Sequence, residues 1–165
     1  MAEKLVDFIA IGRVASRAEL KNIRVTEVSA KCDPRITGTL QATLDLDCKV
    51  LKNEANIAEI ACDYRFSAMS GESKVAEALV TYLLVYELSG TEPAAEGDLA
   101  EFAIANGTLH SWPFVREFLY GLTSRMGFPP YTLPVYHFKP KPQEKKVAPQ
   151  KQSGGKPAAV ARREK

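Results

Sequence analysis

The chain has 165 residues, 45% of them apolar and 25% charged, with a formal net charge of +2. That length allows one domain with a substantial core, and the composition is ordinary for a soluble globular protein. No apolar run approaches the roughly 20 residues of a membrane-spanning helix, so membrane insertion is not expected.

The net charge hides an asymmetry. Residues 139–165 carry nine basic and two acidic side chains, a net +7, which leaves −5 on the first 138 residues. Three cysteines (Cys32, Cys48 and Cys62) are an odd number without metal-ligand spacing. Cys48 and Cys62 fall on the apolar phase of their segments and read as reduced core thiols, which favours the cytoplasm.

In chain order, residues 3–19 read as a helix with Leu5, Phe8, Ile9, Gly12 and Ala15 or Ser16 on one face. A loose alternation of Phe8, Ala10, Gly12 and Val14 keeps a strand open as the competing reading. Asp7, Arg13 and Arg17 interrupt the early apolar patch and no small-residue cleavage site follows, so a signal peptide is not expected. Residues 20–31 are strand-like. Their apolar phase changes from Ile23 and Val25 to Val28 and Ala30, which predicts a bulge near Thr26-Glu27. Asp33-Pro34 marks a turn.

Residues 39–51 alternate Leu40, Ala42, Leu44, Leu46, Cys48 and Val50 with polar residues, the pattern of a strand with one buried face. Residues 57–69 repeat it with Ala58, Ile60, Cys62, Tyr64 and Phe66 inward. Residues 75–88 are apolar on both phases, so that strand should be covered on both faces or offered to a partner. Short connections between these strands imply an antiparallel meander. Its solvated face carries Asp45, Asp47, Glu59 and Asp63. Residues 91–97 read as a linker and 98–105 as a short helix.

Residues 106–134 read as a loop, a helix and a sharp exit. Ser111 is placed to cap the helix, with Pro113 in its first turn. Val115, Phe118, Leu119, Leu122 and Met126 form its apolar stripe, and Gly127 with Pro129-Pro130 ends it. Gly121 in mid-helix would let another backbone approach. Beyond it, Tyr131, Leu133, Val135 and Tyr136 lie along an extended segment. Residues 139–165 lack aromatic residues and periodicity and read as a disordered basic tail, so the expected division is a domain over 1–138 and a tail over 139–165.

No catalytic motif is present, and His110 and His137, the only histidines, sit at element edges, so neither an enzyme nor a cofactor is expected. The basic tail has the charge to contact phosphates but no aromatic residues for stacking on bases, so nucleic acid is not the expected partner.

The run Trp112-Pro113-Phe114-Val115-Arg116-Glu117, then Thr123-Ser124-Arg125, then Phe128-Pro129 and Leu133, resembles the C-terminal signature of the SecB family of export chaperones. The resemblance is strong over residues 106–134 and topological over 20–90. Gly12-Arg13, Arg17-Ala18 and the pattern Tyr120-x-Leu122-Thr123-x-Arg125 point within the family to the SecB-like chaperones of toxin–antitoxin systems. A basic tail follows Phe138 where translocation-linked members carry a second C-terminal helix and an acidic end, and this also favours the toxin–antitoxin branch.

The resemblance implies an α+β fold, a four-stranded antiparallel meander with a long C-terminal helix packed on it, assembled as a homotetramer (a dimer of dimers). It implies an ATP-independent holdase without enzymatic activity that binds extended apolar segments of unfolded or nascent proteins, either for export through the motor ATPase SecA or to protect an antitoxin. Trp112, Phe128, Tyr131, Leu133 and Tyr136 are the expected client groove. Phe118, Gly121, Leu122, Leu83 and Val85 are the expected oligomer interface, and Asp45, Asp47, Glu59 and Asp63 an acidic docking face. The rival reading is a small-molecule or lipid-binding α+β domain with an enclosed cavity between sheet and helix.

Overall fold

The computed structural model describes residues 5–33 and 40–141. A two-residue strand β1 (Leu5–Val6) leads into helix α1 (Phe8–Ala15). The Asp7 carboxylate caps α1, accepting from the amides of Ile9 at 2.9 Å and Ala10 at 3.2 Å. Phe8, Ala10, Gly12 and Val14, the residues of the competing strand reading, all lie in α1, and the helix is shorter than the expected 3–19 because β1 precedes it and the next strand begins at Ala18. The face of α1 that packs inward is Ala10, Ile11 and Val14, whereas the Leu5, Phe8, Ile9 and Gly12 stripe faces outward and is exposed.

Four long strands follow: β2 (Ala18–Cys32), β3 (Gln41–Glu54), β4 (Ile57–Ser70) and β5 (Ser73–Leu88). They form one antiparallel sheet in the order β2-β5-β4-β3. The fold class is the expected one, with one difference in strand order. β3, β4 and β5 make the meander, and β2 pairs with β5 at the far edge instead of with its sequence neighbour β3. The turns within the meander are two residues long, and Gly71, at φ +59°, supplies the left-handed conformation that a tight hairpin favours. Alternation predicts each strand's faces well but says nothing about which edge β2 joins. The register of β2 shifts between Val25 and Glu27, at the bulge predicted there, and again between Leu20 and Asn22.

After β5, helix α2 (Glu96–Phe102) runs through one wide π-helical segment (Ala103–Gly107) directly into α3 (Thr108–Arg125). The loop expected before Ser111 is absent, and Ser111 does not cap a helix start. It lies inside the helix, fully buried. Asn106-Gly107 and Pro113 look like breaks in sequence, but the π segment absorbs the irregularity. Gly107 is the residue that lets this segment settle on the sheet: a Cβ there would stand 2.9 Å from Cys62 Sγ and 3.3 Å from an Ile60 methyl. Pro113 sits in the helix interior, where it removes the amide that would bond to Leu109.

The buried line of α3 is Thr108, Ser111, Trp112, Val115, Leu119 and Thr123. Phe118, Leu122 and Met126, expected on the inward stripe, are half-buried at its margin. Three of the inward side chains are hydroxylic, and each satisfies its donor on the preceding turn: Thr108 on Ile104 O at 2.5 Å, Ser111 on Gly107 O at 2.6 Å, Thr123 on Leu119 O at 2.8 Å. The Ser111 proton is committed to Gly107, so the buried Tyr64 hydroxyl donates to Ser111 Oγ, at 2.6 Å. Burial raises the Tyr64 pKa, which keeps that proton in place.

This pairing gives a first testable expectation. Ser111→Ala should leave the Tyr64 hydroxyl buried without a partner and cost about 1–3 kcal/mol in urea unfolding. Adding Tyr64→Phe to that variant should recover much of the loss, because both polar partners are then gone. A double variant no more stable than Ser111→Ala would show that the contact does not carry the effect.

Gly127, at φ +82°, ends α3: its amide bonds to Ser124 O at 3.1 Å and the Phe128 amide to Thr123 O at 3.0 Å, the paired bonds of a Schellman motif. Residues 128–138 then run extended across the inner face of the sheet. They end in a short strand β6 (Lys139–Pro140), which pairs in parallel with β1. Beside it, the Lys141 ammonium pairs with Glu101. Of the tail expected over residues 139–165, residues 142–165 lie outside the described residues, as do residues 34–39 with the Pro34 half of the expected turn.

Candidate functional site

The inner face of the sheet presents Leu44, Ile60, Cys62, Tyr64, Phe66, Val80, Tyr82, Leu84 and Tyr86 to the helix and the exit segment. The exit is held by specific contacts. Trp112 Nε1 donates to Pro134 O at 3.0 Å, and the Tyr131 amide donates to Thr123 Oγ1 at 2.9 Å. Leu133 is completely buried. Tyr136 packs edge-on against Trp112 at 4.8 Å between ring centroids, and Phe138 against Tyr136 at the same separation.

These contacts divide the five residues expected in a client groove. Trp112 and Leu133 are core residues that fasten the exit, and Tyr136 is half-buried on Trp112. Phe128 and Tyr131 line an open apolar cleft of about 430 Å³. Its floor comes from Leu40, just before β3, Ala42 at the start of β3 and the end of β4 (Phe66, Ala68), and its wall from Thr123 and residues 128–132. Tyr131 packs on Phe66 at 5.1 Å between centroids. Sequence reasoning identified the aromatic wall and missed the floor. The only sign of the floor was that Leu40, Ala42, Phe66 and Ala68 share the inward phase at one end of adjacent strands. Burial raises the pKa of Tyr131, so its hydroxyl is uncharged at neutral pH and the cleft presents no formal charge from its lining side chains.

The residues expected at an oligomer interface fall on two faces. Phe118, Gly121 and Leu122 are half-buried on α3, and the Gly121 surface is bordered by the side chains of Arg125 and Glu117. Leu83 and Val85 sit on the opposite, outer face of the sheet, where Leu83 is buried by its neighbours. Large apolar side chains stay uncovered elsewhere: Val25 and Val28 on β2, and Leu109, Phe114 and Tyr120 on α3.

Asp45, Asp47, Glu59 and Asp63 share the outer face, interleaved with cations. Asp63 accepts from Thr81 at 2.8 Å and Arg65 at 3.1 Å, and Asp47 lies 3.3 Å from Lys49. That face is a mixed-charge lattice. His110 Nδ1 meets the Tyr86 hydroxyl at 2.8 Å, and burial lowers its pKa, so the neutral ring is a structural partner. Among the described residues, no group of three or more metal-ligating side chains comes together, and no helix is long and apolar enough to cross a membrane.

No family model matches the chain. Two curated Mycobacterium tuberculosis proteins, the SecB-like chaperones MT2006 and Rv1957 from two strains, are each 26% identical over 144 residues, covering 74% of this chain and 80% of theirs. The solved structure of the M. tuberculosis SecB-like chaperone Rv1957, in complex with a ChAD peptide from the HigA1 antitoxin, superposes with a TM-score of 0.70 at 22% identity. It covers 78% of this chain and 96% of its own. Over most of its length the chain is thus similar in sequence, and in fold, to these SecB-like chaperones.

Proposed function

We propose that the chain is an ATP-independent holdase that binds extended apolar segments, with the dedicated tail of an antitoxin as the favoured client. The observation that carries this reading is the open apolar cleft walled by Phe128 and Tyr131 and floored by Leu40, Ala42, Phe66 and Ala68. Such a surface grips an extended chain through side-chain burial without reading a long sequence, which is what a holdase needs. It opens to solvent along an exposed extended segment and lacks the enclosed, polar-studded form of a small-molecule site. The reading involves no catalysis. The antitoxin client is supported by the related mycobacterial protein, whose structure holds an antitoxin peptide.

A homotetramer is part of the same reading. The outer edge of β2 has no strand partner among the described residues, and the apolar side chains of Val25, Val28, Phe114 and Tyr120 are left uncovered. A second copy would cover both features. SecA docking through the outer sheet face is the weaker part of the reading, because Lys49 and Arg65 offset Asp47 and Asp63 there. The reduced state of Cys32, Cys48 and Cys62 fits a cytoplasmic setting.

The test is aggregation of an unfolding model protein, followed by light scattering without nucleotide, alongside the solution mass of the chain. Suppression near one oligomer per client is expected. A strict monomer without effect on aggregation would overturn both the holdase and the assembly.

A further inference from the structure

Cys48 and Cys62 are direct register partners on adjacent antiparallel strands, and both point to the inner face. Opposed residues in such a pair have Cα atoms about 4.5–5.5 Å apart, within the span a disulfide accepts. Their sulfurs are in contact at 2.6 Å. The surroundings make the two thiols unequal. Cys62 is fully buried beneath the π segment, where Gly107 has no Cβ to displace it. Cys48 is half-buried on the edge strand, with the Thr108 hydroxyl 3.7 Å from its sulfur.

We propose that Cys48 and Cys62 form an oxidisable dithiol, in which Cys48 is the thiol that meets a hydroperoxide and Cys62 the resolving thiol. The holdase reading does not require this site. In the first step the Cys48 thiolate attacks one peroxide oxygen and the O–O bond breaks. Cys48 becomes a sulfenic acid, and the departing hydroxide takes up the proton that Cys48 gave up, leaving as water. In the second step the Cys62 sulfur displaces hydroxide from the Cys48 sulfur. The S–S bond forms as the S–O bond breaks, and the Cys62 proton leaves with the hydroxide as a second water. The thiols lose two electrons and the peroxide gains them.

The assignment of roles follows from access and from the proton. The hydrogen bond with Cys48, and then burial, push the Cys62 pKa up, which keeps its proton in place. A thiol beyond the reach of solvent cannot meet the peroxide first, but one already in contact with Cys48 needs little movement to resolve the sulfenic acid. Only the thiolate attacks the peroxide, so the reaction is faster as pH rises. Closure would staple the edge strand β3 to β4, and an external dithiol would reopen it by exchange.

The experiment uses the full chain with Cys32→Ser, which removes the exposed third thiol and leaves the pair intact. The folded protein is treated with hydrogen peroxide, quenched, denatured, alkylated and weighed intact. The expected product is lighter by two hydrogen atoms, takes up no alkylating reagent and returns to two alkylatable thiols after dithiothreitol. With Cys62→Ser added, Cys48 should stop at a sulfenic acid that dimedone traps. With Cys48→Ser added, Cys62 should stay alkylatable. Two free thiols after an exposure that oxidises free cysteine, or a bridge between chains in place of one within the chain, would overturn the site. Oxidation of Cys62 in the absence of Cys48 at the parent's rate would overturn the roles. Should a second substitution unfold the chain, the parent carrying both thiols still decides whether the site exists.

Discussion

Trp112→Ala is expected to destabilise the fold by about 3–5 kcal/mol, the range for truncating a buried large aromatic side chain, and to lower the melting temperature by roughly 10 °C. Trp112 is only 5% exposed and connects three parts of the structure. Its ring lies 6.2 Å from that of Tyr64 in the sheet and 4.8 Å from that of Tyr136 in the exit, and its indole N–H bonds to Pro134 O. Alanine would leave a cavity and free the exit segment over residues 134–138, so β6 would lose its anchor beside β1. Trp112→Phe keeps most of the apolar contact and gives up the hydrogen bond, so a loss of about 1 kcal/mol is expected for it. Trp112 is the only tryptophan, so the variants must be followed by far-ultraviolet circular dichroism in urea, since intrinsic tryptophan fluorescence goes with the residue. A cost below about 1 kcal/mol for alanine would show that the exit does not depend on this side chain.

The same region shows what the sequence could and could not reveal. Period-two alternation marked Leu40, Ala42, Leu44, Leu46, Cys48 and Val50, and then Ala58, Ile60, Cys62, Tyr64 and Phe66, as inward; the second set and Leu44 are buried, and the rest of the first set, on or just before the edge strand, are half-buried. A change of phase gave the bulge in β2. Two parts were hidden for physical reasons. The pairing of β2 with β5 rests on a long-range choice between two sheet edges, and strand patterning is the same for both. The α3 stripe was misplaced because Thr108, Ser111 and Thr123 read as polar, although each bonds to a carbonyl of its own helix and so tolerates burial. Asn106-Gly107 and Pro113 strengthened the error by imitating a helix start. Gly127 had no competing signal and was identified correctly. The cleft was half legible for the same reason as the fold. Its aromatic wall is contiguous in sequence, whereas its floor is assembled from the ends of two strands and becomes one surface only after pairing.

Phe128 and Tyr131 should govern client affinity without holding the fold together. Both are half-buried, one face packed against the protein and the other open to the cleft. Their partial burial limits the stability cost of Phe128→Ser with Tyr131→Ser to about 2–3 kcal/mol. Aromatic anchors in an apolar cleft commonly contribute about 2 kcal/mol each to binding, so the double variant, losing about 4 kcal/mol, should bind an extended apolar peptide roughly 1,000-fold more weakly. Fluorescence anisotropy of a labelled peptide measures this directly, and light scattering should show a parallel loss of aggregation suppression. Leu51→Ser is the control: Leu51 is an apolar side chain that is 61% exposed and lies off the cleft, so its loss should leave peptide affinity unchanged. This comparison separates a cleft-specific grip from general stickiness of exposed apolar surface. If the double variant binds within about threefold of the parent, roughly 0.7 kcal/mol, the client lies elsewhere. The uncovered face formed by Val25, Val28 and Phe114 is then the surface to test, because all three side chains are exposed and the Phe114 ring lies 6.2 Å from that of Tyr82 on the inner face of the sheet.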